Sequence, residues 1–139
     1  MSSKSEHYVH LVWTTKGRQP LVTAAIERGV HRCLSNEVER LKCVVCAING
    51  MLDHVHIIAA LHTDVCVSGL LKRIKGVSST MVNNLHDHQQ RFRWQEGYYV
   101  RSISLSHLKV VIAYVHNQKQ HHADGTLHPE WEETTEAIS

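Results

Sequence analysis

Two histidines separated by one residue, His54 and His56, lie in an apolar stretch of this 139-residue chain. Residues two apart on a β-strand point to the same face of the sheet, so both imidazoles would project to one side. Imidazole nitrogens held in this way can bind a divalent metal ion. Val55 and Ile57 would point to the other face, and we expect that apolar face to be the buried one. The spacing therefore predicts a metal site on a strand.

A tyrosine and a glutamine four residues apart, Tyr114 and Gln118, follow in a helical pattern closer to the C-terminus. Residues at this spacing share a helix face. A metal site beside a presented tyrosine hydroxyl is what covalent attack on a phosphodiester requires. The amide oxygen of Gln118 would be a neutral ligand, which leaves positions open for water and phosphate oxygens. Such a set suits Mg²⁺ or Mn²⁺, although imidazole also accepts Zn²⁺, and a packing role for Tyr114 stays open.

The hydrophobic periodicity predicts seven elements in the order β-α-β-β-α-β-α. In sequence they cover residues 7–15, 23–41, 43–48, 53–61, 67–85, 97–104 and about 104–120. Thr23 is the predicted N-cap of the first helix, and Asn49-Gly50 is predicted as a tight turn. The first six elements match the ferredoxin-like split βαβ arrangement, an α+β fold. We therefore expect a four-stranded antiparallel sheet with two helices on one face, and a third helix that packs elsewhere and carries Tyr114.

Charge is distributed unevenly along the chain. The formal net charge is +2, but residues 123–139 hold five carboxylates and no lysine or arginine, so residues 1–122 carry +7. A basic body suits a polyanionic partner. We predict one functional domain over residues 1–122 and an acidic tail over 123–139, loosely ordered apart from docking by Trp131. The basic residues expected to hold nucleic acid are Lys16, Arg18, Lys72, Arg73, Lys75, Arg91, Arg93 and Arg101.

Several classes of protein are disfavoured by the sequence. There is no apolar run of the roughly 20 residues that a membrane span needs, and the N-terminus lacks a signal-peptide pattern, which favours a cytoplasmic protein. Cys43 and Cys46 have the spacing of zinc and redox motifs. No second such pair follows, so structural thiols are favoured over a zinc site.

Five ordered blocks give the chain a resemblance to a known family. The His54-Val55-His56 segment resembles the His-hydrophobic-His motif of single-tyrosine transposases of the IS200/IS605 type, and Tyr114 followed by Gln118 looks like their catalytic helix. The other similar blocks are Trp13–Arg18, Lys75–Ser79 and Trp94–Tyr98. The resemblance covers residues 8 to about 122 and leaves out the acidic tail.

The resemblance implies a concrete activity. Such enzymes cleave single-stranded DNA beside hairpins at the ends of a mobile element, form a 5′-phosphotyrosine linkage and release a 3′-OH. Carried onto this chain, Tyr114 would be the nucleophile, and His54, His56 and Gln118 would hold Mg²⁺ or Mn²⁺. The family also implies a homodimer in which the tyrosine helix of one subunit completes the metal site of the other. When bound to DNA, the protein would associate with the nucleoid.

Some roles stay open at the level of sequence. A phenol with a pKa of roughly 10 needs activation, and Asp53 and His107 are the candidate general bases. Asp53 would alternatively orient a ligand histidine. A catalytically inactive or domesticated relative that only binds hairpin DNA or RNA is the competing interpretation. A related enzyme acting on dispersed genomic palindromes is a second alternative that the sequence does not separate from a transposase of a mobile element.

Overall fold

The computed structural model describes residues 5–85 and 91–132, and its centre is a four-stranded antiparallel sheet. The strands run in the spatial order β2-β3-β1-β4, which is the ferredoxin-like order. Their bounds are β1 (Tyr8–Thr14), β2 (Val44–Met51), β3 (His54–Ala60) and β4 (Tyr99–Ile103). The predicted α+β class and sheet topology are therefore confirmed.

One face of the sheet is covered by two helices, α1 (Glu27–Arg40) and α2 (Val67–Asn83). Their apolar stripes pack on alternate residues of the central strands, such as Leu11 of β1 and Ile57 of β3, which are fully buried. Burial of each such side chain contributes roughly 1.5–3 kcal/mol to folding. This layer is the main hydrophobic core, and it fixes β1 and β3 as the rigid centre of the molecule.

The opposite face of the sheet is also covered. Three helices follow β4 along the chain, namely α3 (Leu108–His116), α4 (Gln118–Asp124) and α5 (Pro129–Glu132). They lie over the face that carries His54, His56 and Ile58, and all three side chains are buried. The expectation that only the apolar face of β3 would be buried was therefore wrong, because the C-terminal helices seal the histidine face.

The predicted Asn49-Gly50 turn was also wrong. Both residues belong to β2, opposite His56 and Val55, and the turn into β3 falls at positions 52–53. A methyl group on Gly50 would overlap the backbone carbonyl oxygen of His54. Glycine is thus required here by close approach of two strands, and strand pairing overrides the local turn signal.

Two helix boundaries differ from the prediction. The helix predicted from Thr23 begins at Glu27, because Thr23 belongs to a turn that precedes the helix. The carbonyl of Thr23 accepts hydrogen bonds from the amides of Ile26 and Glu27. The predicted third helix is broken at Asn117, whose side chain donates to the carbonyl of Ala113. Asparagine competes with helical hydrogen bonds in this way. None of the described helices is long and apolar enough to cross a bilayer.

The acidic tail is structured as far as it is described. Helix α4 continues the domain to Asp124, where Gly125 in the left-handed conformation ends it. Trp131 packs on Tyr114 with their ring centroids 5.0 Å apart, as the predicted docking requires. The tail up to Glu132 therefore lies against the histidine face of the sheet instead of being loosely ordered.

Candidate active site

The histidine pair lies at the start of β3, buried beneath the C-terminal helices. His54 is 2% exposed and His56 is fully buried, and their ring centroids are 5.1 Å apart. They pair in register with Thr14 and Val12 of β1, so the most rigid part of the sheet holds both rings. The same-face placement follows from the two-residue period of the strand.

Asp53 fixes the orientation of His54. Its Oδ1 lies 2.7 Å from Nδ1 of His54, and its Oδ2 accepts from Nε of Arg18 at 3.2 Å. The hydrogen bond to His54 lowers the pKa of Asp53. With Nδ1 committed to a carboxylate, Nε2 of His54 is the nitrogen free to bind a metal, an arrangement common among metal-ligating histidines. Burial lowers the pKa of His54, but the neighbouring carboxylates of Asp53 and Glu132 outweigh it and raise the pKa overall.

His56 is oriented by another histidine, which the sequence did not single out. Nε2 of His10 lies 2.9 Å from Nδ1 of His56, and His10 is only 2% exposed. Burial, together with the neighbouring His56, lowers the pKa of His10 to about 3, so His10 is neutral. A neutral His10 can accept the Nδ1 proton of His56, and Nε2 of His56 then faces Oε1 of Glu132 at 3.2 Å. The alternation of β1 places His10 on this face, but its pairing with β3 depends on strand register.

Tyr114 lies on the buried side of α3, facing the histidines. Its ring centroid is 6.4 Å from that of His56 and 4.5 Å from that of His121. Among residues 5–85 and 91–132, the hydroxyl donates to a Glu132 carboxylate oxygen and accepts from the backbone amide of His128. Burial and the Glu132 hydrogen bond raise the pKa of Tyr114. Tyr114 is thus a buried residue that also packs in the site, as well as presenting its hydroxyl to Glu132.

Gln118 joins the same cluster one helix later. It is fully buried, and its Nε2 donates to Glu132 at 2.8 Å. Its Oε1 and Nε2 of His54 are buried with no hydrogen-bond partner among the described residues. Leaving such atoms unpaired costs about 1–3 kcal/mol each, which is offset when they bind a ligand. Two orphaned ligand atoms next to His56 therefore fit a divalent metal ion.

Glu132 is the member of the site that sequence reasoning missed. One of its oxygens lies 3.2 Å from Nε2 of His56 and 3.4 Å from Nε2 of His54. Ligand atoms of these three residues all lie within 4.8 Å of one another, close enough for a shared metal. Burial raises the pKa of Glu132, but the two neighbouring histidines outweigh it and hold that pKa far below its usual value. No periodic pattern links Glu132 to β3, and the apolar Trp131 beside it was the only signal.

Sequence reasoning also missed His122, a histidine of α4. His122 lies one turn beyond Gln118, with its ring centroid 5.0 Å from that of His54 and its Nε2 3.6 Å from Glu132. The four-residue spacing from Gln118 could have identified it, because residues four apart share a helix face.

Four of the eight basic residues predicted to hold nucleic acid lie together. A cleft between α2 and the segment before β4 contains Lys16, Lys75, Arg91 and Arg93. Nζ of Lys75 donates to the backbone carbonyls of Gln95 and Gly97, so it also shapes the cleft.

The other four predicted basic residues lie outside this cleft. Arg18 pairs with Asp53, next to His54. Lys72 and Arg73 are exposed on α2, and Arg73 bonds to Glu37 of α1. Arg101 donates to the hydroxyl of Tyr99 in β4.

The two candidate general bases are placed differently. Asp53 contacts His54 and Arg18, which supports the orienting role over the proton-accepting one. His107 is exposed and its Nδ1 lies 2.9 Å from the hydroxyl of Ser104. Within the described ranges, neither is a hydrogen-bond partner of the Tyr114 hydroxyl.

Comparison with known structures supports the fold. A protein of Deinococcus radiodurans R1 described as a transposase superposes with a TM-score of 0.68 at 21% identity, covering 85% of this chain and 95% of that one. A REP-associated tyrosine transposase bound to a REP hairpin superposes with a TM-score of 0.66 at 13% identity, covering 88% of this chain and 74% of that one. At these identities the likeness concerns the fold. No curated protein matches the chain in sequence.

The sequence itself matches one family profile, described as "Transposase IS200 like", over residues 3–118. The match spans most of the chain and includes the strand with His54 and His56 and the helix with Tyr114. It also agrees with the family that the sequence motifs suggested. The chain belongs to the IS200-like transposase family.

Proposed function

We propose that this transposase cleaves and rejoins single-stranded DNA next to hairpins, through a covalent link between Tyr114 and a 5′ phosphate. The observation that carries the proposal is the contact network of one carboxylate. Glu132 touches the Tyr114 hydroxyl, Gln118 and both histidines of β3, so the nucleophile and the metal-binding atoms surround one small volume. A scissile phosphodiester would have to enter that volume in place of the Glu132 carboxylate.

The chemistry of the step is a displacement at phosphorus. The Tyr114 oxygen forms a bond to the phosphorus, and the phenolic proton passes to a base. The bond from phosphorus to the 3′ oxygen breaks, and that oxygen leaves with the electron pair and takes up a proton as a 3′-OH. Because the phosphotyrosine bond replaces one phosphodiester with another, a 3′-OH can later reverse the step without an external energy source.

The protein side chains suit Mg²⁺ or Mn²⁺ held by His54, His56 and Gln118. Bound there, the ion would polarise the scissile phosphate and offset charge on its oxygens. His10 and Asp53 hold the two imidazoles with their Nε2 atoms facing the site. Gln118 contributes an uncharged oxygen, which water can replace, so we infer that Gln118 matters less than either histidine.

The basic cleft is the proposed seat of the hairpin strand. The structural neighbour bound to a REP hairpin supports hairpin DNA as the ligand class. Single-strand binding combines basic side chains with stacking aromatic rings, and Trp94 lines the cleft together with Arg93 and Lys75.

Replacing Arg91 and Arg93 together with alanine should weaken hairpin binding without changing the metal site. If each arginine neutralises one phosphate, the negative slope of the logarithm of the association constant against the logarithm of the salt concentration should become less steep by about 1.4. Fluorescence anisotropy with a labelled hairpin strand at several salt concentrations measures it. Arg32→Ala, an exposed change on α1, is the matched control. An unchanged slope in the double variant would rule out the cleft as the binding site of the hairpin.

We also infer a homodimer with active sites shared between subunits. Strand β4 is an edge of the sheet, and the apolar side chains of Val100, Leu105 and Val110 are exposed on or after it. Exposed apolar side chains at a sheet edge that is unpaired among the described residues favour pairing with a second chain. Within one chain Tyr114 already lies beside its own His56. The break at Asn117 and the short 3₁₀ turn Leu105–His107 before α3 are where the helix would swing to exchange partners.

Mixing Tyr114→Phe subunits with His56→Ala subunits tests the exchange. Each variant alone should be inactive, whereas random pairing should restore about one quarter of the wild-type sites. Two affinity tags confirm that heterodimers form. If heterodimers form but make no covalent product, Tyr114 and the histidines of each active site come from the same chain.

A denaturing gel tests the proposed activity. Labelled single-stranded DNA carrying a hairpin, incubated with protein and Mn²⁺, should give a slowly migrating covalent adduct, and fully paired duplex should give none. Binding of the hairpin without any adduct, across strands that sample the flanking sequence, would favour the non-catalytic binding interpretation. Hairpins at both ends of the DNA flanking the gene would favour a mobile element over dispersed palindromes.

A further inference from the structure

The carboxylate of Glu132 lies in the middle of the proposed reaction site, where none of the family motifs places a residue. Its Oε1 faces the Nε2 atoms of His54 and His56 at 3.4 and 3.2 Å. Its Oε2 accepts from the Tyr114 hydroxyl and from Gln118. A single side chain thus contacts the nucleophile and all three residues expected to bind metal.

The position of Glu132 is set by packing as well as by charge. The indole of Trp131 lies with its ring centroid 5.0 Å from that of Tyr114 and 4.3 Å from that of His128. The amide of His128 donates to the Tyr114 hydroxyl, and the amide of Trp131 bonds back to the His128 carbonyl. This short segment would therefore present a carboxylate at the same place in the absence of any ion.

The donor set that results is one that divalent metals use. Two imidazole nitrogens and one carboxylate oxygen form a recurrent three-ligand site that leaves further positions open. Ligand atoms of the three residues lie within 4.8 Å of each other, and Nε2 of His54, 3.4 Å from Oε1 of Glu132, has no hydrogen-bond partner among the described residues. A metal between them would satisfy that nitrogen and the negative charge of Glu132 together.

The same position is needed by the substrate. An attacking oxygen must come within about 3–3.5 Å of its target atom. The Tyr114 hydroxyl is instead in hydrogen-bond contact with Glu132, and a scissile phosphate cannot share that volume. Carboxylate and phosphate oxygens are both anionic ligands for a hard cation, so one can replace the other.

We propose that Glu132 is a metal ligand of the DNA-free protein and that it holds the place which a phosphate oxygen of the DNA must take. This inference rests on the proposed function and adds a regulatory element to it. The tail retains the ion when DNA is absent, and DNA displaces the Glu132 carboxylate before Tyr114 can attack. Glu132 thereby raises the affinity of the protein for the metal ion and slows cleavage of the DNA.

Glu132→Gln tests the proposal without DNA. The purified protein is titrated with Mn²⁺, followed by calorimetry or by the electron paramagnetic resonance of free Mn²⁺. The dissociation constant for Mn²⁺ should be at least tenfold larger than that of the wild type. Glu130→Gln is the matched control, because Glu130 lies on the same helix and its carboxylate faces the His128 ring and not the histidines of β3. Thermal unfolding of both variants verifies that each is folded. Equal Mn²⁺ affinity in wild type and Glu132→Gln would overturn the assignment of Glu132 as a ligand.

Cleavage at saturating Mn²⁺ tests the displacement. Glu132→Gln should form the covalent adduct at least as fast as wild type, since the DNA phosphate then meets a weaker competitor. Loss of the adduct under these conditions would show that Glu132 acts in the reaction itself and would overturn the displacement. The Mn²⁺ titration contains no DNA, so it reads the Glu132 ligand separately. Failure of the proposed function would instead appear as wild-type protein that forms no adduct.

Discussion

Replacing Tyr114 with phenylalanine should abolish the covalent DNA adduct and leave hairpin binding close to that of the wild type. The change removes one oxygen, the proposed nucleophile, and keeps the ring that packs on His56 and Trp131. Loss of an enzymatic nucleophile slows catalysis by more than about 1,000-fold. The hydroxyl also bonds to Glu132 and His128, so stability should fall by only about 1 kcal/mol.

The measurement is adduct formation on a denaturing gel, with hairpin affinity determined in parallel by anisotropy. Tyr98→Phe and Tyr99→Phe are the controls, since both tyrosines are half-buried near the basic cleft and are the next candidates for the nucleophile. Each control should form the adduct normally. An adduct that persists in Tyr114→Phe and disappears in one of these controls would move the chemistry to that tyrosine.

Replacing His56 with alanine should abolish both Mn²⁺ binding and cleavage while hairpin binding survives. His56 is fully buried, and its Nε2 faces the proposed metal position. Its removal also leaves His10 without its partner, which costs about 1–3 kcal/mol of stability. His56→Gln keeps most of the volume and a polar atom, so it serves as the variant that separates metal loss from unfolding. Gln118→Ala should be milder, because water can replace a neutral ligand.

The readouts for His56 are the Mn²⁺ dissociation constant and the rate of adduct formation, with thermal unfolding as the check on folding. His62→Ala is the matched control, since this half-exposed histidine follows β3 and its Nδ1 lies 3.8 Å from Asp64, away from the cluster. The account would be contradicted by a folded His56 variant that still binds Mn²⁺ with wild-type affinity and still cleaves.

Much of the fold was readable from local patterns. The order of strands and helices follows from hydrophobic periods of two and 3.6 residues, and that order predicts the ferredoxin-like sheet. The shared face of His54 and His56 follows from the same period. The Asn49-Gly50 turn failed because local preference competes with strand pairing, and the pairing of β2 with β3 extends past Gly50.

The parts of the site that sequence did not predict all depend on long-range contacts. His10 reaches His56 only because β1 and β3 pair in one particular register. Glu132 lies 76 residues from His56 along the chain and arrives through the docking of Trp131 on Tyr114. Neither contact leaves a periodic signal, whereas His122 was detectable from its helical spacing to Gln118. The acidic composition of the tail concealed a carboxylate that contacts the site.

Mass spectrometry of the covalent adduct tests the identity of the nucleophile most directly. After nuclease and trypsin digestion, residues 110–119 form a peptide whose only tyrosine is Tyr114, and residues 94–101 form one that contains Tyr98 and Tyr99. We expect a 5′-linked nucleotide phosphate on the 110–119 peptide, with fragment ions that place the added mass on Tyr114. The same mass on the 94–101 peptide, or an adduct at any residue other than Tyr114, would contradict this account.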